Sequence, residues 1–162
     1  MSITHQDIVA FVHREARLLD DRDLDQWLEC YSPNATFWMP AWDDDDTLVK
    51  DPNKEVSLIY YSSRSGLEDR VFRLKTERSG ASSPQPRTCH NIATLEVLQQ
   101  AGSYVDLRFN WQTLSYRYKK IDSYFGTSFY TLDTNGDTPK IVSKKVVLKN
   151  DYIHQVIDIY HI

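Results

Sequence analysis

The sequence predicts an α+β fold in which N-terminal helices pack on a strongly curved, mostly antiparallel sheet and close it into a cone. Helical spacing marks the N-terminal part of the chain, and everything after Arg87 reads as long antiparallel strands, with two-residue alternation clearest at YVDLRFNW. The order matters as well, because helices followed by strands is an α+β order and not the alternating order of a parallel βαβ sheet. A chain of 162 residues, 41% of them apolar, can bury one core, so a single domain over 1–162 is expected.

The first helix is expected from Thr4, where Asp7 three residues on completes a capping box and Ile8, Phe11, Val12 and Ala16 recur at helical spacing. A second, short helix is expected from Asp23 with Leu24, Trp27 and Leu28, stopped by Pro33-Asn34. Residues 36–40 read as a short strand. The apolar run at 56–61 follows the acidic loop AWDDDD and the turn-like DPN, and its pattern does not choose between helix and strand. Ser65 with Glu68 gives another capping box, and Leu67, Val71 and Leu74 share one face, so a third helix is expected before SGASSPQPR breaks it.

The clearest pattern is YVDLRFNW, where Val105, Leu107, Phe109 and Trp111 alternate with Asp106, Arg108 and Asn110 as in a sheet with one wet face. SYFGTSFYTL and KIVSKKVVL flank the turn residues DTNGD and are expected to form a hairpin, with Gly126 marking a bulge or bend. Four to six strands in all are expected. The tail DYIHQVIDIYHI stays apolar to Ile162, which implies that it is pinned in the sheet or at a subunit contact.

Nineteen basic against twenty-three acidic residues give a formal charge of -4, which argues against nucleic acid as a partner. No apolar run has the length of a membrane helix and the N-terminus lacks a signal pattern, so a cytoplasmic protein is expected. Cys30 and Cys89 sit in no C-x-x-C pattern and read as buried or half-buried free thiols.

A Rieske cluster needs paired cysteine and histidine ligands at fixed spacing, and neither Cys30-Tyr31-Ser32 nor Cys89-His90-Asn91 supplies it. A facial triad of His154, Asp158 and His161 can be written down, but on an extended segment Asp158 and His161 would diverge. Asp43, Asp44, Asp45 and Asp46 lack calcium-loop spacing and read as a solvated loop or a patch facing a basic partner. His90 begins an expected strand and could point into the cone, where Tyr31, Tyr60 or Tyr61 could meet it as acid and base; a core histidine with a hydrogen bond is the plainer reading. The aromatic density (Tyr116, Tyr118, Tyr124, Phe125, Phe129, Tyr130, Tyr152 and Tyr160) exceeds what one small sheet face buries and points to a complex. The contact candidates are Trp42, the four aspartates, Tyr160 and Ile162.

The stretches FWMPAWDDDD, EVSLIYYSSRSGLEDRVFRLKTERS, PRTCHNIA, SYFGTSFY and VLKNDYIHQVIDIYHI resemble the small (beta) subunits of aromatic-ring-hydroxylating dioxygenases, and the resemblance runs over nearly the whole chain. The AWDDDD loop resembles the benzoate and toluate branch more than the anthranilate branch. The resemblance implies a nuclear-transport-factor-like cone and an α3β3 oxygenase in which three small subunits form a trimeric base. It also implies that the Rieske 2Fe-2S cluster and the mononuclear iron lie in the large (alpha) subunit, with none in this chain, and that a separate NADH reductase supplies electrons. The product implied is a cis-dihydrodiol, and no catalytic residue carries over to any position here. The rival is a stand-alone cone-fold dehydratase or isomerase using His90 with Tyr31 and Tyr60, because one cone fold hosts unrelated functions. A catalytic cone is expected to be open with convergent polar groups, and a scaffold to be plugged by aromatic side chains.

Overall fold

A computed structural model describes residues 2–76, 84–150, 153 and 156–162. Helix α1 (His5–Asp20) starts as expected, with Thr4 Oγ1 accepting from Asp7 N at 3.1 Å and Asp7 Oδ2 accepting from Thr4 N at 2.9 Å. Its buried stripe is Ile8, Phe11, Val12, Glu15, Ala16 and Leu19, the i, i+3, i+4, i+7 pattern of a helix laid on a core. Helix α2 (Leu24–Leu28) ends before Pro33-Asn34, which do not stop it. Those two residues lie inside strand β1 (Tyr31–Pro40), in the stretch where its register with a neighbour shifts between Tyr31 and Thr36. Such a shift is where a proline fits, because no ladder bond needs its missing N–H.

The apolar run becomes strand β2 (Ser57–Tyr61). Helix α3 (Arg64–Thr76) buries Leu67 and Val71 as expected, but no Ser65–Glu68 box caps it; Glu68 instead accepts from Arg64 Nε at 2.9 Å. Four long strands follow: β3 (Arg87–Ala101), β4 (Tyr104–Arg117), β5 (Lys120–Asp133) and β6 (Lys140–Leu148). A short 3-10 turn (Ile159–His161) comes last.

The six strands form one curved open sheet in the order β2-β1-β6-β5-β4-β3, antiparallel except where β1 runs parallel to β6. Strands β4 and β5 meet through Tyr118-Lys119, both at positive φ (52° and 62°), the backbone that a two-residue type I′ hairpin requires. The expected β5–β6 hairpin is present. Gly126 is not a bulge, since its register with β4 runs unbroken; a Cβ there would lie 1.9 Å from Val147 O, so glycine is what lets the β6 backbone approach.

The alternation read in β4 holds, with Val105, Leu107, Phe109 and Trp111 all buried. Helices α1 and α3 cover the concave face, against β3 and β1 respectively. No helix among the described residues is long and apolar enough to cross a membrane.

Candidate functional site

The cone interior holds three polar clusters. Deepest is Glu15, on the buried stripe of α1. Its Oε1 accepts from Tyr31 OH at 2.8 Å, Trp27 Nε1 at 3.0 Å and Lys144 Nζ at 3.2 Å, and its Oε2 accepts from Tyr130 OH at 3.0 Å. Glu15 and Lys144 have side chains 2% and 1% exposed, so this is a fully buried ion pair. Burial pushes the Glu15 carboxyl up, but the Lys144 charge and the three hydrogen bonds outweigh it and hold the group below its usual range. Burial pulls the Lys144 ammonium down, with Glu15 opposing. The Lys144 ammonium also donates to Ile162 O at 3.1 Å.

Nearer the rim, Asp20 at the end of α1 reaches β3. Its Oδ2 accepts from His90 N at 2.9 Å, its Oδ1 lies 2.6 Å from His90 Nδ1, and Thr88 Oγ1 donates to Oδ1 at 2.9 Å. The His90 side chain is 3% exposed, and its Nε2 has no hydrogen-bond partner among the described residues; the same is true of Thr113 Oγ1, on the residue directly across the ladder. Asp20 is partly desolvated, yet its bonds to His90 and Thr88 keep its carboxyl below the usual range.

The third cluster is the turn at 158–162, which folds back into the cone and closes it. Arg70 of α3 holds both carboxylate oxygens of Asp158, through Nε at 3.0 Å and through Nη2. Asp158 N donates to His161 Nδ1 at 2.9 Å, the Arg22 guanidinium lies 4.3 Å from the Tyr160 ring centroid, and the His161 ring lies 4.9 Å from Tyr124. Burial pushes the His161 imidazole down to about 4, with Asp158 opposing, so the ring is neutral and its Nδ1 can accept.

His90, Tyr31 and Tyr60 do not converge. Tyr31 is committed to Glu15, His90 to Asp20, and Tyr60 pairs with Trp38 on the face opposite Phe37 and Tyr61. Tyr160 and Ile162, expected at a contact, are buried in the chain's own cone because their turn is pinned from three sides. Trp42 is 45% exposed with its Nε1 donating to Leu148 O at 2.7 Å, and Asp43 to Asp46 are exposed in a tight turn where Asp43 N donates to Thr47 O. His154 and Tyr152 lie outside the described residues.

The Asp158–His161 divergence expected on an extended segment is corrected by the 3-10 turn, which brings the two into direct contact. A Rieske cluster does not fit this chain. Cys30 Sγ is buried, bonded to Gln26 O, and desolvated so that its thiol rises to about 11, whereas Cys89 is exposed, not half-buried. Among the described residues no three histidine, cysteine or acidic side chains gather as metal ligands.

Neither Glu15 nor Lys144 was singled out from the sequence, although Glu15 sits as a charge on the α1 apolar stripe and Lys144 as a charge in phase with Val146 and Leu148. Asp20 and Arg70 gave no local signal, because their partners lie 70 and 88 residues away, and Asp158 was named only beside His161 and not with Arg70.

A family model described as the ring hydroxylating beta subunit matches residues 14–155. The chain is 65% identical over 159 residues to the 2-halobenzoate 1,2-dioxygenase small subunit of Burkholderia cepacia, covering 98% of this chain and 96% of that one. It is 60% identical over 162 residues to the toluate 1,2-dioxygenase subunit beta of Pseudomonas putida, with 100% of each covered. The crystal structure of the benzoate 1,2-dioxygenase beta subunit of Burkholderia mallei superposes with a TM-score of 0.86 at 57% identity, covering 100% of this chain and 99% of the other. An NTF2-like protein of Novosphingobium aromaticivorans with a cystatin-like fold superposes at 0.65 with 11% identity, over 91% of this chain and 83% of its own, a likeness of fold alone.

Proposed function

The chain belongs to the ring-hydroxylating dioxygenase beta-subunit family, and on that premise we propose that the whole of 1–162 is the non-catalytic small subunit of a benzoate-type 1,2-dioxygenase. Three copies form the base of an α3β3 oxygenase. The large subunits carry the Rieske 2Fe-2S cluster and the mononuclear iron, and a separate NADH reductase delivers two electrons per turnover. Both atoms of O2 enter the ring of an aromatic carboxylate to give a cis-dihydrodiol, in the cytoplasm.

The observation that carries this reading is that the interior charges are committed to one another. The buried charges of the cone are paired within the chain (Glu15 with Lys144, Asp158 with Arg70), and Tyr160, His161 and Ile162 are themselves buried there. The test is co-expression with a large subunit, reading mass in solution and bound iron. An iron-free small assembly that becomes an iron-bearing hexamer supports the reading, and a chain indifferent to the large subunit overturns it.

The Asp20–His90 pair favours a second reading, a stand-alone dehydratase or isomerase in which His90 Nε2 meets the substrate. It requires the 158–162 turn to leave the cone. Under this reading the isolated chain binds a small carbonyl compound, and His90→Ala abolishes that binding; absence of any such ligand removes it.

A further inference from the structure

We infer that the part of the sheet beside the end of α1 holds an internal water site, in which His90 Nε2, Thr113 Oγ1 and Trp111 Nε1 hydrogen-bond to bound water. The site lies within one chain and needs no partner, so it goes beyond the small-subunit reading and stands or falls apart from it.

The three side chains share one face of the ladder. His90 pairs directly with Thr113 across β3 and β4, and Trp111 lies two residues along β4, paired with Ile92. Directly opposed residues of an antiparallel pair point to the same side with Cβ atoms about 4.5–5.5 Å apart, and residues i and i+2 of a strand are about 7 Å apart, a gap that an indole spans. That side is the concave one, because Trp111 and Thr113 continue the buried row of Val105, Leu107 and Phe109. Solvent does not reach them: Thr113 is 0% exposed, Trp111 5% and the His90 side chain 3%. Tyr124, opposite Thr113 on β5, is buried as well, and the His161 ring of the 158–162 turn lies 4.9 Å from it.

None of the three atoms has a hydrogen-bond partner among the described residues. Elsewhere in the interior the chain meets that demand itself, as at Glu15, whose two oxygens accept four bonds. A buried polar atom without a partner is costly, and ordered water is the common remedy where several such atoms gather.

What each atom can exchange selects the guest. An indole N–H only donates. Asp20 Oδ1 lies 2.6 Å from His90 Nδ1 and its carboxyl is held below the usual range, so the carboxylate accepts from Nδ1–H, and Nε2 of the singly protonated ring is left to accept. The Thr113 hydroxyl does either. The guest must therefore accept from Trp111 and donate to His90, and water does both. An anion has no proton to give His90, a metal cation cannot accept from an indole N–H, and an apolar molecule satisfies none of the three.

The experiment uses the full chain and reads the Trp111 indole proton by NMR, assigned by its disappearance in Trp111→Phe, together with a crystal structure fine enough to show ordered water. The expected result is a rotating-frame cross peak between that proton and water, with the sign of contact and not of proton exchange. In the crystal, water density is expected at about 2.7–3.2 Å from His90 Nε2 and Thr113 Oγ1. Thr113→Val should lose the cross peak and Thr113→Ser should keep it, with thermal melting checking that each folds; the native readouts decide where Thr113→Val does not fold. A native indole proton without the cross peak, or direct bonds among the three side chains in the crystal, overturns the inference. So does an unchanged cross peak in Thr113→Val, which takes Thr113 out of the site. Density larger than water bridging the three atoms also overturns it, and gives the site to a small organic ligand as the stand-alone enzyme reading requires.

Discussion

On its concave face the sheet buries Lys144, Tyr130 and Phe109 against α1, and each polar atom of the Glu15 carboxylate finds a partner inside the chain. On the outer face of the same strands, Leu114, Tyr116, Ile121 and Phe125 stand in solvent. Strands β4 and β5 build both faces, and their alternation assigns residues to one or the other. Inside, charges that could serve chemistry are consumed by holding the cone shut, whereas outside, apolar area remains uncovered.

Breaking the inner pair should have the largest effect. Lys144→Met leaves Glu15 buried without its counter-charge and is expected to cost about 3–5 kcal/mol, with much of that recovered by adding Glu15→Gln. Urea unfolding measures both. A loss under 1 kcal/mol for the single variant would mean that water reaches the pair.

The next effect is in pH. The folded His161 is held near 4 against an ordinary 6.5, so between these values the unfolded chain binds a proton that the folded chain refuses. Stability is therefore complete above about pH 6.5 and declines as the pH falls toward 4, by up to about 3 kcal/mol. His161→Asn should flatten that slope in melts taken from pH 7 to 4, and an unchanged slope would place the titration elsewhere.

Thr4→Ala removes the α1 cap and should cost about 1 kcal/mol in the same unfolding assay. Smallest of all, Ile121→Ser on the outer face should change the stability of the dissociated chain by no more than about 0.5 kcal/mol. A larger loss there would erase the contrast between the two faces.

The elements that could be read from the sequence were those fixed by neighbours along the chain. The Thr4–Asp7 box, the α1 stripe, the β4 alternation and the β5–β6 turn all depend on residues within a few positions. Three readings failed where a distant strand or a competing neighbour decided. Tyr31 joins β1 because Ile141 of β6 pairs with it, which lengthens the strand through Pro33-Asn34. Gly126 makes no bulge and serves the approach of Val147, leaving only the bend of that reading open, and Glu68 is taken by Arg64 before Ser65 can use it. Site residues followed the same rule. Glu15 and Lys144 break a local apolar pattern but were not singled out as a pair, since 129 residues separate them; Asp20 needed His90, and Asp158 needed Arg70, through contacts only the folded chain makes. The family resemblance, carried by long segments, was confirmed across residues 14–155.

In the proposed small-subunit role, this interior holds the cone together and takes no part in ring oxidation. Benzoate-dependent oxygen uptake, per iron, by the complex assembled with the reductase tests that role, comparing the native small subunit with His90→Ala at equal complex mass. Equal turnover is expected in both, and a large fall in turnover by an intact, iron-loaded complex would overturn it.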